Sequence, residues 1–174
     1  LTKYKTDYID PLVTLLGNYP HLNLVAIIEP DSLPNAATNM DKANCQKAVP
    51  YYKKGIEYAI QQLSTLPNIT MYLDAAHGGW IGFPNNLKNY SNIACDVLSN
   101  SGSLDKVRGF STNVSNYQPL GVDKYGSVKI STDYPCTDLI VGQNNNEINY
   151  INSLYNELNK SCKIKKDWKF ITDT

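Results

Sequence analysis

Several features are missing from this chain of 174 residues, and each absence excludes a class of protein. No apolar run approaches the roughly 20 residues that cross a bilayer, so we expect no membrane partner. The 16 basic and 16 acidic side chains balance without a basic block, which argues against nucleic acid as a partner. The phosphate loops GxGxxG and GxxxxGK and the nucleophile elbow GxSxG are also absent.

Cysteine pairs of the CxxC type, which bind structural zinc, are absent as well. The four cysteines are Cys45, Cys95, Cys136 and Cys162. The four Asn-x-Ser/Thr sequons begin at Asn68, Asn89, Asn113 and Asn159. Together they favour a secreted glycoprotein with disulfides, although four cysteines allow three connectivities and the sequence does not choose among them. Asn113 is a poor glycan site because it falls in a predicted strand.

Apolar periodicity predicts an alternation of helices and strands. Strands are expected at 22–28, 69–75, 107–114 and 168–172, and helices at 4–16, 46–63, 87–99 and 145–162. Residues 34–45 and 118–142 are expected to be loops, as is the glycine-rich HGGWIGFP segment. The alternation implies right-handed βαβ units and a parallel α/β sheet. Four parallel strands cannot close a barrel, so the sheet is either small and open or a piece of a larger barrel.

The segment 25–35, VAIIEPDSLPN, organises the predicted site. Pro30 cannot donate to a sheet ladder, so it ends the strand and presents Asp31 at the carboxyl end. Ligands of α/β proteins bind at that end. A carboxyl group there can act as a general acid. The simpler alternative is that Asp31 only caps the following turn.

The other predicted strands end in polar and aromatic residues. These residues are Asp74, His77, Trp80, Asn113, Asn116 and Asp173. Carboxylates, amides and an indole ring at one rim suit a polyhydroxylated ligand, because a sugar stacks on tryptophan and its hydroxyls form hydrogen bonds. Glycosidic cleavage needs a protonated carboxyl group and a second group that positions or deprotonates water.

Each of these residues also has an interpretation without function. Asp74 can cap a strand end, and Trp80 can simply pack beneath its loop. Asp-x-x-His alone is a weak metal signal, so His77 is better interpreted as a hydrogen-bonding histidine, and we expect no metal or cofactor. Gly78-Gly79 can serve only to turn the chain.

Four motifs, in this order, resemble the glycoside hydrolase family six cellulases, and most of all the fungal cellobiohydrolase II type. They are IIEPDSLPN at 27–35, YLDAAHGGWIGFP at 72–84, RGFSTNVSNY at 108–117 and FITD at 170–173. The resemblance implies parallel βα units that form part of a distorted, seven-stranded TIM-like barrel. It also implies a secreted enzyme that hydrolyses β-1,4-glucosidic bonds in cellulose with inversion and releases cellobiose.

The resemblance assigns roles to individual residues. Asp31 matches the general acid and Asp74 a catalytic rim carboxylate. His77, Trp80 and Asn116 match sugar-contacting positions. Cys45 matches a cysteine that, in the family, pairs with one upstream of the residue matched by Leu1.

The resemblance also marks departures. The family's water-positioning aspartate and its proposed base match no residue here, and Phe83 stands where tryptophan is common. We therefore expect residues 1–174 to be the central part of a catalytic domain that hydrolyses little alone. Cellulose and cello-oligosaccharides are the expected partners of a monomer, and attachment to a cellulose-binding or docking module is left open. An endo-acting β-1,4-glucanase and a non-catalytic carbohydrate-binding protein are the alternatives.

Overall fold

The computed structural model describes residues 1–116, 118–121 and 146–173, and its centre is a parallel four-stranded sheet. The strands are β1 (Leu24–Ile28), β2 (Ile69–Asp74), β3 (Val107–Thr112) and β4 (Lys169–Thr172). All three neighbouring pairs are parallel. The predicted α/β class with a parallel sheet is therefore confirmed, although β1 and β3 are two residues shorter than expected.

The strands lie in chain order, β1-β2-β3-β4. Leu24 pairs with Ile69, and Gly109 pairs with Lys169. Consecutive neighbours with right-handed crossovers place every connecting helix on one face of the sheet, as in a TIM barrel. A doubly wound sheet would instead reverse its order at a switch point. The topology is thus of the barrel type.

Six α-helices lie among the described residues. They are α1 (Asp10–Gly17), α2 (Ser32–Thr38), α3 (Ala43–Leu63), α4 (Gly78–Ile81), α5 (Pro84–Ser101) and α6 (Glu147–Ser161). A π-helical stretch, Tyr4–Ile9, runs directly into α1, so the first helix does not begin at Asp10. None of these helices has the length and apolar character needed to cross a bilayer.

Two loop predictions were wrong. The expected loop at 34–45 contains most of α2, because Pro34 lies in the first helical turn, where its missing N–H costs nothing. Leu33 is 1% exposed, so the apolar side of α2 packs into the core. The HGGWIGFP segment contains the short helix α4. A Cβ atom on Gly78, the first residue of this helix, would clash with the Gln118 side chain.

The core lies between the sheet and the connecting helices. Its buried side chains include Met71, Leu73, Phe110, Ile60, Leu98 and Leu154. A disulfide joins Cys95 on α5 to Cys162, directly after α6, which selects one pair from the alternatives that the sequence left open. Cys45 forms no disulfide within the described residues, Cys136 lies outside them, and the implied upstream partner of Cys45 stays a prediction.

The asparagines of the four sequons differ in their exposure and in their hydrogen bonds. Asn113 is 2% exposed, and its amide donates to the carbonyl oxygens of Gln118 and Asp173. The Asn68 amide donates to the carbonyl oxygens of Tyr19 and Leu22. Asn159 Oδ1 accepts a hydrogen bond from the Lys166 backbone N–H. Asn89 lies on the exposed side of α5.

Candidate functional site

Left-handed backbone conformations mark the carboxyl ends of the strands. Within the described residues, five non-glycine residues have positive φ, and four lie at these ends: Glu29 (47°), Asp31 (65°), Ala76 (52°) and Asn113 (61°). The left-handed region costs a non-glycine residue about 1–2 kcal/mol. Such strain persists only where the surroundings impose it, and it clusters at functional sites. The backbone strain therefore indicates a functional site at the rim formed by the carboxyl ends of the strands.

Asp31 and Asp74 come together at the rim. The Asp31 backbone N–H donates to Asp74 Oδ2 at 2.9 Å, and the Ala76 N–H donates to the same oxygen at 3.2 Å. Asp31 occupies the N-cap position of α2, yet its side chain makes no capping hydrogen bond. The structure therefore does not support the simpler capping interpretation of Asp31.

Asp74 is a buried acid, with 2% of its surface exposed. Burial raises its pKa to about 6, while the N–H donors of Asp31 and Ala76 lower it and the charge of Asp31 raises it. A carboxyl that titrates near pH 6 beside a second carboxyl can exchange a proton in mildly acidic solution.

His77 follows the same strand and is half-buried. Burial lowers the pKa of its imidazole, and the charge of Asp31 raises it. Its Nδ1 is buried and has no hydrogen-bond partner in the part of the chain that the structure describes. A neutral imidazole with an unused nitrogen is suited to a ligand hydroxyl.

Trp80 lies beside His77, with 6.4 Å between the ring centroids. Its indole Nε1–H donates to Thr38 Oγ1 on α2 at 3.1 Å, and its backbone oxygen accepts from Asn86 Nδ2 at 2.8 Å. The ring is half-buried and packs partly against the core, so its role as a sugar platform stays a prediction.

Asn113, Asn116 and Asp173 belong to the ends of β3 and β4. The Asn113 N–H donates to the Ala76 oxygen at 2.8 Å, which ties β3 to the turn after β2. A cavity of about 260 Å³ lies next to these ends, lined by Ile27, Val114, Ile171, Thr172 and Asp173. Asn116 is exposed, and its contact with sugar stays a prediction.

Buried side chains that the sequence analysis missed hold the turn after β2. The hydroxyl of Tyr90 donates to the Asp74 backbone oxygen and that of Tyr150 to the Ala75 oxygen, both at 2.6 Å. Apolar spacing placed both tyrosines on helices, but a periodic pattern does not reveal which hydroxyl bonds a distant backbone oxygen. Two buried tyrosine hydroxyls therefore hold the backbone of the turn that carries the predicted site.

Glu147 is a further buried carboxyl that the sequence analysis missed. It is 0% exposed, and its Oε2 accepts the Gly78 N–H at 3.0 Å. Burial raises its pKa to about 7, and the Gly78 N–H and the Gln118 side chain lower it. An acidic residue in a first helical turn is ordinary, so the sequence carried no signal of this burial.

Metal binding has no support from the described residues. They contain no group of three or more His, Cys, Asp or Glu side chains that could hold an ion. The arrangement instead offers a carboxyl pair, a hydroxyl-binding imidazole and an indole face. These groups are suited to acid–base chemistry on a sugar.

Comparisons with known proteins agree with this geometry. The family model for glycosyl hydrolases family 6 matches residues 1–174. The chain is 44% identical over 117 residues to 1,4-beta-D-glucan cellobiohydrolase C of Emericella nidulans, and 44% identical over 115 residues to a putative endoglucanase type B of Fusarium oxysporum. These alignments cover 67% and 66% of this chain.

A solved structure shows the same fold. Cellobiohydrolase II from Humicola insolens, in complex with glucose and cellotetraose, matches 99% of this chain with a TM-score of 0.82 and 31% identity. The chain spans 44% of that structure, and 26% and 24% of the two relatives.

Proposed function

The chain belongs to glycosyl hydrolase family 6, and on that premise we propose that it forms part of the active site of an inverting cellulase. The substrates are cellulose and cello-oligosaccharides, and the bond cleaved is β-1,4-glucosidic. The contact between Asp31 and the buried carboxyl of Asp74 carries this proposal. Residues 1–174 then belong to a catalytic domain of a secreted, monomeric protein.

The proposed chemistry divides between a proton donor and groups that hold the sugar. Inversion requires an acid that protonates the leaving oxygen and a base that activates water on the opposite face of the ring. Asp31 donates the proton, and Asp74 sets the local charge beside it. Trp80 stacks on the sugar, and His77 and Asn116 bind its hydroxyls. No described residue is assigned as the base.

Cellobiose release is the first candidate for the product, in line with the similarity to a cellobiohydrolase. Endo-acting cleavage is the second, because the chain is equally similar to a putative endoglucanase. The length distribution of products from a long cello-oligosaccharide separates the two. Early in the reaction with an even-numbered oligosaccharide, cellobiose as the only short product indicates exo action, and a mixture of lengths indicates endo action.

The test of function replaces the proton donor. In the longest natural form of the protein, Asp31→Asn should abolish reducing-sugar release from cellotetraose while sparing its binding. Asp41→Asn, at an exposed carboxyl, is the matched control and should keep full activity. Undiminished turnover by Asp31→Asn would remove Asp31 from the acid role. If neither the natural protein nor the 174-residue chain releases sugar but both bind it, the non-catalytic alternative holds.

A further inference from the structure

Helix α2 is bonded at its start to the last residue of β2 and at its end to the segment that follows β2. At its start, the Asp31 N–H donates to Asp74 Oδ2 at 2.9 Å. At its end, Thr38 Oγ1 accepts from Trp80 Nε1 at 3.1 Å. One helix of seven residues, Ser32–Thr38, therefore links the proposed proton donor to the proposed sugar platform.

The Thr38 hydroxyl is oriented to accept the indole proton. Its own proton is used by the Pro34 backbone oxygen, one turn earlier, at 2.9 Å. An indole N–H can only donate, and the hydroxyl oxygen accepts it at a shorter distance than it accepts the neighbouring Asn39 Nδ2, at 3.5 Å. Threonine often bonds the carbonyl four residues back without any function. The additional bond, to an indole 42 residues away in the chain, is what distinguishes Thr38.

The backbone of Trp80 is already fixed without Thr38. Its N–H donates to the His77 oxygen at 3.0 Å, and its carbonyl oxygen accepts from Asn86 Nδ2 at 2.8 Å. These bonds place the Cα atom but do not act on the side-chain torsions, which packing of the half-buried ring against the core restrains only in part. The bond to Thr38 acts on the torsions, and thus on the plane that the ring presents at the rim.

We propose that Thr38 is a positioning residue that sets the indole plane of Trp80 relative to Asp31. A sugar stacked on Trp80 then presents its glycosidic oxygen at a fixed height above the acid. This inference rests on the proposed function, because it needs Trp80 to be a sugar platform. The anchoring of the indole by Thr38 is independent of that function and has its own measurement.

The first measurement follows the indole N–H by NMR in the 174-residue chain. Thr38→Val keeps the shape of the side chain and removes the acceptor, whereas Thr38→Ser keeps the hydroxyl. Only two tryptophans occur, so Trp168 is the internal control. We expect the Trp80 Nε1–H signal to shift upfield and exchange faster in Thr38→Val, but not in Thr38→Ser. An unchanged signal in Thr38→Val would overturn the proposal.

The second measurement is cellotetraose affinity, in the longest natural form of the protein carrying Asp31→Asn to prevent turnover. Losing one hydrogen bond should weaken binding roughly fivefold in Thr38→Val, with recovery in Thr38→Ser. Trp80→Ala distinguishes the two failures. If Trp80→Ala weakens binding and Thr38→Val does not, the role of Thr38 is overturned while the function stands. If Trp80→Ala binds as tightly as its parent, the sugar platform itself is refuted, and the proposal for Thr38 with it.

Discussion

Replacing the buried carboxyl of Glu147 by its neutral isostere should change how the stability of the protein depends on pH. Burial raises the pKa of Glu147 from its ordinary 4.5 to about 7 in the folded state. The folded chain therefore binds more protons than the unfolded chain between these values. Since stability falls with rising pH wherever the folded state holds the extra proton, this side chain destabilises the protein increasingly from pH 4.5 to pH 7.

The magnitude follows from the two pKa values. Ionisation of Glu147 lowers the free energy of unfolding by about 1 kcal/mol at pH 5 and by about 3 kcal/mol at pH 7. Glu147→Gln removes this dependence and keeps an oxygen that can accept the Gly78 N–H. We therefore expect the variant to lose about 2 kcal/mol less stability than the wild type between pH 5 and pH 7.

Chemical denaturation at pH 5, 6 and 7 measures this difference. Asp74, with its pKa raised to about 6, also destabilises the protein as pH rises, whereas His77, with its pKa lowered, destabilises it as pH falls. Both contributions are common to the two proteins, so they cancel in the comparison. Asp41→Asn, at an exposed carboxyl, should follow the wild type. Parallel stability curves for wild type and Glu147→Gln would refute the reasoning.

Two further predictions concern covalent features. Removing the disulfide with Cys95→Ala and Cys162→Ala should lower the free energy of unfolding of the 174-residue chain by up to about 4 kcal/mol, because the bond closes a loop of 67 residues. Denaturant titration measures this loss. The control Cys45→Ala should lower the free energy of unfolding by less than about 1 kcal/mol, and equal losses in the control and in the disulfide variant would contradict the account. In a glycosylating, secreting host, peptide mass spectrometry should find an N-glycan on Asn89, which is exposed, and none on Asn113, which is buried. A glycan on Asn113 of the folded protein would be incompatible with its burial.

The strands and the longer helices were predictable because each follows from a local signal. Pro30 stops β1, and apolar side chains at helical spacing mark α3 and α5. The rim could be predicted because parallel strands bring their carboxyl ends to one edge of the sheet, so the sequence alone places Asp31 and Asp74 near each other. In the structure, the Asp31 backbone N–H donates to Asp74 Oδ2 at 2.9 Å.

The features that could not be predicted from the sequence depend on contacts between residues distant in the chain. Helix α2 was missed because the Asn-rich segment after Asp31 resembles a loop, and burial of Leu33 and Ala37 outweighs that local preference. The pairing of Cys95 with Cys162 required knowing how α5 packs on α6. Glu147 has an unremarkable position at a helix start, and only the tertiary fold shows that its carboxyl is inaccessible to solvent.

The order of the strands has a consequence for synthesis on the ribosome. Each newly made strand joins the outer edge of the strand made just before it, and none has to insert between two that are already paired. The polypeptide can therefore assemble vectorially, with Leu24 meeting Ile69 before Lys169 has been translated. Growth in this direction keeps the edge of the latest strand open for the next unit, so a pause in translation after any helix would expose the edges of a correctly ordered sheet rather than a misordered one.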